Sequence, residues 1–312
     1  MSNLGEEMPF VGIPTFCKFP YTRNLEGVDV AIVGAPIDQG TTNRSGARYG
    51  PRAIREASQI YGPFFLPDKG IYDIELGRYK LARTKVIDFG DVPVAPTLHE
   101  LNLNLITLYI QEIISRKVFP ITLGGDHSIT FPVIRAFKDT KLKIVHFDTH
   151  LDFLDDIAGV RLSHANPFKR VTELEHVIGI TQIGIRGLLN TTIIADEAKK
   201  YGSKVITAER AIKQGSKWVM EQIPEAENIY VSIDIDALDP STAPGTGTPE
   251  PGGFTYLQMR EMLTALPKKG NIVGFDLVEV NPLYDPAGVT AQIAARLIID
   301  FLAAIMEEKQ RA

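Results

Sequence analysis

Three short stretches of the sequence place metal-binding side chains directly after apolar segments. Residues 148–152 read Asp-Thr-His-Leu-Asp, so three such side chains stand at alternate positions and share one face of an extended chain. Residues 234–236 read Asp-Ile-Asp, and residues 124–128 read Gly-Gly-Asp-His-Ser. Together these stretches offer six candidate metal ligands, which are His127, Asp148, His150, Asp152, Asp234 and Asp236.

Two divalent cations would balance the charge of this set. Its four aspartates carry a formal charge of −4, and unpaired charges gathered in one dry cleft are costly. Oxygen and nitrogen ligands without a thiolate suit Mn²⁺ and, less selectively, Zn²⁺, Ni²⁺ or Fe²⁺. A single aspartate at a strand–helix junction is often a helix N-cap. Capping does not explain the Asp-x-His-x-Asp pattern at 148–152 together with the Asp-x-Asp pattern at 234–236. The spacing therefore predicts a binuclear metal site.

The segments that must position these side chains alternate between apolar β-branched runs and helical repeats. Seven runs are apolar on both faces, which predicts buried parallel strands, at 28–34, 85–90, 118–124, 142–148, 177–184, 228–234 and 271–276. Helical periodicity lies between them, at 98–115, 128–137, 192–201, 255–266 and 289–306. This alternation predicts an α/β sheet with helices on both faces. Ligands of such sheets bind beyond the carboxyl ends of the strands, where the six candidates lie.

The chain shows no feature that would divide it into several domains. It contains no internal repeat, no low-complexity tract and no Pro/Ser-rich linker. We expect an irregular N-terminal arm over residues 1–27 and one catalytic domain over residues 28–312. Residues 239–253 hold four prolines and four glycines, which predicts a rigid loop rather than a helix.

Composition excludes several classes of protein. The 312 residues are 44% hydrophobic and 23% charged, as in an ordinary globular chain. The net charge of −5, without a basic stripe, argues against a nucleic-acid partner. The single cysteine, Cys17, cannot form an internal disulfide, and no signal peptide or uninterrupted apolar span is evident. We expect a cytoplasmic protein with no membrane partner and, lacking a phosphate-binding loop, no nucleotide cofactor.

The three stretches belong to longer motifs that resemble the ureohydrolase family of agmatinases and arginases. The matching segments are 46–51 (GARYGP), 124–128 (GGDHS), 147–152 (FDTHLD), 183–187 (IGIRG), 232–240 (SIDIDALDP) and 274–282 (GFDLVEVNP). The resemblance extends from about residue 28 to the end of the chain. It implies a three-layer arginase-like α/β fold, with a mostly parallel β-sheet between helix layers, and a trimeric or hexameric homo-oligomer.

The resemblance also assigns roles within the site. One Mn²⁺ would be held by His127, Asp148, Asp152 and Asp234, and the other by Asp148, His150, Asp234 and Asp236, with Ni²⁺ or another divalent metal as the alternative. Two further residues would act on the substrate. Glu279 would bind the planar guanidinium, and His164 would deliver a proton to the leaving amine. Water activated by the cations would attack the guanidinium carbon and release urea.

The resemblance implies a small guanidino compound as substrate. Agmatine, which gives putrescine for polyamine biosynthesis, is the first expectation, and a guanidino acid (4-guanidinobutyrate or 3-guanidinopropionate) is the second. Charges in the loop 153–163 point both ways, because Asp155 and Asp156 would favour a distal ammonium and Arg161 a distal carboxylate. Residues 165–166 read Ala-Asn where many agmatinases have Gly-Thr, in a loop that lines the substrate channel of the family.

Other functions are less consistent with the motifs. A binuclear metallophosphoesterase would carry a G-N-H-E/D motif, which is missing, and a single-zinc deacetylase would not need Asp236. A non-catalytic metal-stabilised binding protein remains an alternative, although all eight site positions are intact. Of the remaining histidines, His146 lies inside a predicted strand and should be a hydrogen-bonded residue behind the ligands. We expect His99 and His176 to be solvated.

Overall fold

An eight-stranded sheet forms the centre of the computed structural model, which describes residues 8–66 and 68–311. Its strands are β1 (Val30–Ala35), β4 (Val86–Asp91), β5 (Phe119–Gly124), β6 (Leu142–Phe147), β7 (Val177–Ile185), β8 (Lys204–Thr207), β9 (Asn228–Asp234) and β10 (Asn271–Val278). Their order across the sheet is β4-β1-β5-β10-β9-β6-β7-β8, and every neighbouring pair is parallel. All seven predicted strand runs lie in this sheet. The sequence did not predict β8 or the small antiparallel hairpin of β2 (Ile71–Asp73) and β3 (Arg78–Lys80).

Helices cover both faces of the sheet, as the sequence predicts. One layer comprises α1 (Gly50–Ser58), α6 (Ala208–Gln222), α7 (Tyr256–Ala265) and α8 (Val289–Arg311). The other comprises α2 (His99–Ser115), α3 (Thr130–Arg135), α4 (Pro167–Val171) and α5 (Thr192–Tyr201). The three-layer α/β fold with a parallel sheet between helix layers is therefore confirmed. Residues 239–253 contain no helix, which agrees with the rigid loop expected there.

Two hydrophobic cores, one on each face, explain why the strands are apolar at every position. Val30 and Ile32 of β1 belong to the core under α8, and Ala31 and Val33 belong to the core under α2. Because successive side chains of a strand point to opposite faces, a strand between two helix layers buries both sets. Helix α8 is long and apolar enough to cross a membrane, but 72% of its most apolar window is buried inside the protein. It is therefore packed as a core helix.

The N-terminal segment protects one edge of the sheet. The N–H of Asp88 in β4 donates to the carbonyl of Pro20 at 3.0 Å, and the N–H of Thr22 donates back to the carbonyl of Asp88 at 3.1 Å. Exposed strand edges invite pairing with other chains, and a covering segment prevents it. Phe16, a few residues earlier, is buried in the core beside α1.

The register of the central strands brings their carboxyl ends to one edge of the sheet. Paired residues at these ends are Leu123 with Leu277, Val278 with Asp234, and Ile233 with Phe147. The segments that follow β5, β10, β9 and β6 therefore start side by side. These segments, together with the last residue of β9, Asp234, carry all six candidate ligands and Glu279.

Candidate metal centre

Three carboxylates converge on one ring nitrogen of His127. Its Nδ1 lies 3.1 Å from Oδ2 of Asp148, 3.1 Å from Oδ2 of Asp152 and 3.1 Å from Oδ2 of Asp234. In an octahedral site with metal–ligand bonds of about 2.1 Å, adjacent ligand atoms stand about 3 Å apart. The four atoms are therefore spaced as ligands of a single ion.

A second group of ligand atoms surrounds His150. Its Nδ1 lies 3.2 Å from Oδ2 of Asp236 and 3.4 Å from Oδ1 of Asp148. Asp148 thus presents one oxygen to each group, which is the arrangement of a bridging carboxylate. The structure brings together all six candidate ligands that the sequence predicts.

Unpartnered buried atoms and closely packed carboxylates among the candidate ligands fit bound cations. In the described part of the chain, Nδ1 of His127, Nε2 of His150 and Oδ2 of Asp236 are buried without a hydrogen-bond partner. Burial and the charges of Asp236 and Asp148 raise the pKa of Asp234 well above its usual range. Burial and the charge of Asp148 likewise raise the pKa of Asp236 to about 6. Carboxylates packed this closely require positive charge among them.

A relay of hydroxyl groups sets the tautomer of His127. Ser232 Oγ donates to Oδ1 of Asp276 at 2.6 Å, so it can only accept at its contact of 2.9 Å with Nε2 of His127. The ring proton of His127 is therefore on Nε2, and the lone pair of Nδ1 faces the three carboxylates. Tyr230 also donates to Asp276, at 2.7 Å. Such support behind a metal-binding histidine fixes its ring and raises its basicity.

His146 supports the ligand set from behind, as the sequence predicts. Its Nε2 lies 2.7 Å from Oδ2 of Asp148, and its Nδ1 lies 3.0 Å from the side-chain amide of Gln182. Because the carboxylate can only accept, Nε2 carries the ring proton. The ring also stacks on Phe168, with centroids 3.8 Å apart.

Two site residues have backbone conformations that are rare for residues other than glycine. Asp152 has φ of 53° and Glu279 has φ of 62°. This left-handed conformation costs free energy for a residue with a Cβ and is frequent at functional sites. At Glu279, a hydrogen bond of 2.9 Å from its N–H to the carbonyl of Gly125 holds the turn.

Glu279 and His164 form a buried pair beside the metal ligands. Oε1 of Glu279 accepts the backbone N–H of His127 at 2.9 Å and lies 3.2 Å from Nδ1 of His164. Burial disfavours a charged His164, but the hydrogen bond and charge of Glu279 outweigh it and raise the pKa of the imidazole to about 9. The backbone N–H of Thr42 acts in the opposite direction, because it donates to Nε2 at 3.1 Å and needs an unprotonated nitrogen there.

The ligand atoms around His127, those around His150 and the Glu279–His164 pair all adjoin one cavity of about 200 Å³. Its floor includes His127, Asp234, Glu279 and His164. Large apolar side chains form its wall, and these are Leu154, Ile157, Leu189 and Ile194. A ligand in this cavity would meet the ligand set and the Glu279–His164 pair at one end and an apolar surface along its length.

The charges expected to recognise the far end of the substrate do not line this cavity. Arg161 is 56% exposed and pairs with Glu173 at 2.7 Å. Asp155 forms an ion pair with Arg170, and Asp156 accepts the N–H of Gly159 at 2.8 Å. Arg161 thus pairs with Asp155 and Glu173, Asp155 also pairs with Arg170, and Asp156 bonds to the backbone, so the structure gives the prediction that these charges read the substrate no support by direct contact.

The two residues that depart from the family pattern have different positions. Ala165 lines the cavity. Asn166 is fully buried beside it and ties the loop together, because its Oδ1 accepts the N–H of Ser163 at 3.0 Å and its Nδ2 donates to the carbonyl of Leu154 at 2.8 Å. Only Ala165 can therefore contact a ligand directly.

Asn166→Ala should destabilise the fold. Without the amide, the N–H of Ser163 and the carbonyl of Leu154 lose their partners, and an unsatisfied buried group costs about 1–3 kcal/mol. The free energy of unfolding in a urea titration should fall by about that amount. Asn24→Ala is the control, since the side-chain oxygen of Asn24 accepts the N–H of Glu26 in an exposed turn and its loss should change stability by less than about 0.5 kcal/mol. Equal losses in the two variants would contradict the anchoring role.

The expectation that His99 and His176 are solvated is wrong. Both are half-buried. Their Nε2 atoms bond to backbone carbonyls, that of Leu162 at 2.8 Å for His99 and that of Ile134 at 3.0 Å for His176. Flanking acidic and apolar residues therefore did not indicate their exposure.

Three residues of the site escaped the sequence analysis. Thr42 contacts His164 from a loop that offers no metal ligand, and no pattern marks it. Ser232 and Asp276 lie inside the motifs named above, which do not indicate a role for either residue. A carboxylate in the middle of the apolar strand β10 was the available signal for Asp276, since a buried charge needs partners.

Comparisons with known proteins agree with this site. A model of the Arginase family matches residues 28–304. Guanidinobutyrase of Pseudomonas aeruginosa is 36% identical over 310 residues, covering 96% of this chain and 94% of that protein. The mitochondrial agmatinase of Gallus gallus is 37% identical over 305 residues, covering 94% of this chain and 85% of that protein. The crystal structure of a hypothetical agmatinase from Burkholderia thailandensis superposes with a TM-score of 0.86 at 31% identity, covering 98% and 94% of the two chains.

The chain therefore belongs to the arginase family. It is a hydrolase that acts on guanidino C–N bonds. The family depends on a binuclear metal centre, and the buried His/Asp cluster described above fits such a centre.

Proposed function

We propose that this protein hydrolyses a short linear guanidino compound to urea and an amine, with agmatine as the first-choice substrate and putrescine as the product. The metal ligands would be His127, Asp148, His150, Asp152, Asp234 and Asp236, and the residues acting on the substrate would be His164 and Glu279. One observation carries the proposal. The convergent ligand atoms and the Glu279–His164 pair share the floor of a single cavity.

Glu279 and His164 would have separate roles in the reaction. Two Mn²⁺ ions, when bound, would lower the pKa of a water molecule and supply the nucleophile. Oε1 of Glu279 is occupied by His127 and His164, and no hydrogen bond from the described residues reaches Oε2. Oε2 is thus free to accept N–H groups of the guanidinium. His164 stands next to it, within reach of the departing amine.

The cavity wall bears on the choice of substrate. Among the lining residues there is no lysine or arginine for a distal carboxylate, and the acids Asp152, Asp234 and Glu279 all lie at the metal end, so a distal ammonium finds no counter-charge on the wall either. Leu154, Ile157 and Ile194 suit a chain of methylene groups instead. Agmatine stays the first choice because of the motifs shared with agmatinases and the similarity to the agmatinase of Gallus gallus. A guanidino acid such as 4-guanidinobutyrate or 3-guanidinopropionate is the second, supported by the similarity to guanidinobutyrase.

Urea release from parallel substrates tests this function. We would assay agmatine, 4-guanidinobutyrate, 3-guanidinopropionate and arginine with Mn²⁺-loaded protein. We expect agmatine to give the highest kcat/KM. A guanidino acid that exceeds agmatine tenfold would make the second choice correct, and no urea from any of them would favour the non-catalytic binding protein.

Arg161→Ala should leave this ranking unchanged. The guanidinium of Arg161 is directed to Glu173 and away from the cavity, and exposed ion pairs contribute little. We expect kcat/KM for every substrate to stay within about twofold of the parent protein. Ile157→Arg is the matched contrast, because it places a cation on the cavity wall and should favour guanidino acids over agmatine. A loss of activity in Arg161→Ala would show that the loop turns inward during catalysis.

The proposal extends to the assembly. We propose one catalytic domain over residues 28–312 with an N-terminal arm over 1–27, in a cytoplasmic homotrimer or hexamer. Exposed apolar side chains near the cavity support an interface, since Leu188 is 94% exposed and Ile193 is 70% exposed. Sedimentation should give a trimer or hexamer at micromolar concentration, and a monomer would contradict this part.

A further inference from the structure

We propose that Thr42 is a positioning residue for His164 that selects the tautomer of its ring and connects the ring to solvent. This inference rests on the proposed function, in which His164 protonates the leaving amine. Thr42 lies in the loop between β1 and α1, 122 residues away from His164 in the sequence.

The hydrogen bonds of His164 define which nitrogen carries its proton. Nδ1 faces Oε1 of Glu279 at 3.2 Å, and a carboxylate can only accept. Nε2 receives the backbone N–H of Thr42 at 3.1 Å and lies 2.7 Å from its hydroxyl oxygen. The charge of Glu279 favours a protonated ring, but both groups of Thr42 need Nε2 as an acceptor, so these hydrogen bonds favour the neutral ring with its proton on Nδ1. The proton that His164 can give away is therefore the one on Nδ1, which is hydrogen-bonded to Glu279 at the lining of the cavity.

The loop that carries Thr42 is built against the His164 segment. The N–H of His164 donates to the carbonyl of Gly40 at 3.1 Å, and the N–H of Gly40 donates to the buried Asp126 at 2.8 Å. A Cβ at Gly40 would lie 3.1 Å from the backbone nitrogen of His164, so a side chain there would have to move its neighbours by a few tenths of an ångström. Asn43 fixes the other side of Thr42 by donating to the carbonyl of Gly247 at 2.9 Å.

Exposure makes the Thr42 hydroxyl a route for protons. Thr42 is exposed, whereas His164 is 8% exposed and Glu279 is 2% exposed. When the Nδ1–H bond of His164 breaks and its proton passes to the leaving nitrogen, Nε2 takes the proton of the Thr42 hydroxyl. A solvent water then donates a proton to Oγ1, and the hydroxide left behind is neutralised by the proton that the attacking water releases. The ring stays neutral in its other tautomer until Nε2 returns its proton through Oγ1 to solvent and Nδ1 takes a proton from water in the cavity, which restores the starting state.

Three variants test this role through urea release by Mn²⁺-loaded protein. Thr42→Val keeps the shape and the backbone N–H but removes the hydroxyl, and it should lower kcat by about 10- to 100-fold with KM within about twofold. Thr42→Ser restores the hydroxyl and should recover kcat to within about threefold. Thr41→Val is the matched control, because the neighbouring hydroxyl of Thr41 is buried without a hydrogen-bond partner among the described residues. It should leave kcat unchanged.

A double variant separates this inference from the proposed function. If Thr42 acts through His164, then Thr42→Val should cause no further loss of kcat in a His164→Ala background. A further tenfold loss there, or a parental kcat in Thr42→Val alone, would overturn the role of Thr42 while leaving His164 in place. A parental kcat in His164→Ala would instead contradict the proposed role of His164 itself.

Discussion

Asp148→Asn should remove both metal ions and nearly all activity. Asp148 is fully buried, and its two oxygens face the two groups of ligand atoms, one around His127 and one around His150. An amide offers one neutral oxygen and cannot bridge two cations. Since metal-ion catalysis supplies several kcal/mol and each 1.4 kcal/mol is tenfold in rate, kcat/KM should fall by at least about 10³-fold.

Metal analysis after gel filtration checks this result independently of activity. We expect two ions per chain in the parent protein and fewer than one in Asp148→Asn. Asp152→Asn should keep one ion, because Asp152 contacts only the His127 group. Asp156→Asn, in the exposed loop, should keep both. Two tightly bound ions in Asp148→Asn would show that Asp148 does not bridge them.

The sheet could be predicted because most of its strands have a recognisable apolar pattern in their own sequence. Seven runs are apolar on both faces, as only strands between two helix layers are. Strand β8 lacks that signal, since only Ile206 of its four residues is buried at the edge of the sheet. The sequence did not predict helix α6 either. This helix contains Gly215 with φ of 83°, which interrupts the periodicity on which a helix prediction depends.

The convergence of the candidate ligands could be predicted because they lie at the carboxyl ends of neighbouring parallel strands. The extended chain expected over Asp148, His150 and Asp152 does not form, because the chain bends at residues 149–150 and Asp152 has φ of 53°. The relay from His127 through Ser232 to Asp276 joins three separate strand regions. Its members meet only through the register of the sheet, which the sequence does not display.

The sequence could not predict whether the charged side chains of the loop 153–163 face the cavity, because closeness in sequence to His164 does not determine the direction of a side chain. Arg161 lies three residues before His164, yet it points outward. Arg170, almost fully buried, pairs with Asp155 and Glu173 and draws these acids to the outer side of the loop. Arg161 then joins the same acids. A competing ion-pair network of this kind becomes visible only once the chain is folded.

Glu279→Gln should impair both binding and turnover while leaving the metal ions in place. Glu279 is 2% exposed, and its Oε2 is the group that would face the substrate guanidinium. Removing one partner of a buried charge pair costs about 2–5 kcal/mol, or roughly 30- to 3,000-fold in kcat/KM. We expect KM to rise because the guanidinium loses its counter-charge. kcat should fall because the hydrogen bond that orients His164 weakens.

Glu173→Gln provides the same chemical change outside the cavity. Glu173 pairs with Arg161 and Arg170 on the outer side of the loop, so kcat/KM should stay within about twofold. Retention of two ions in Glu279→Gln would separate its defect from that of Asp148→Asn, since Glu279 contacts His127 only at the backbone N–H. A parental KM and kcat in Glu279→Gln would place the guanidinium elsewhere in the cavity. The orientation of His164 by Glu279 would then serve no catalytic purpose.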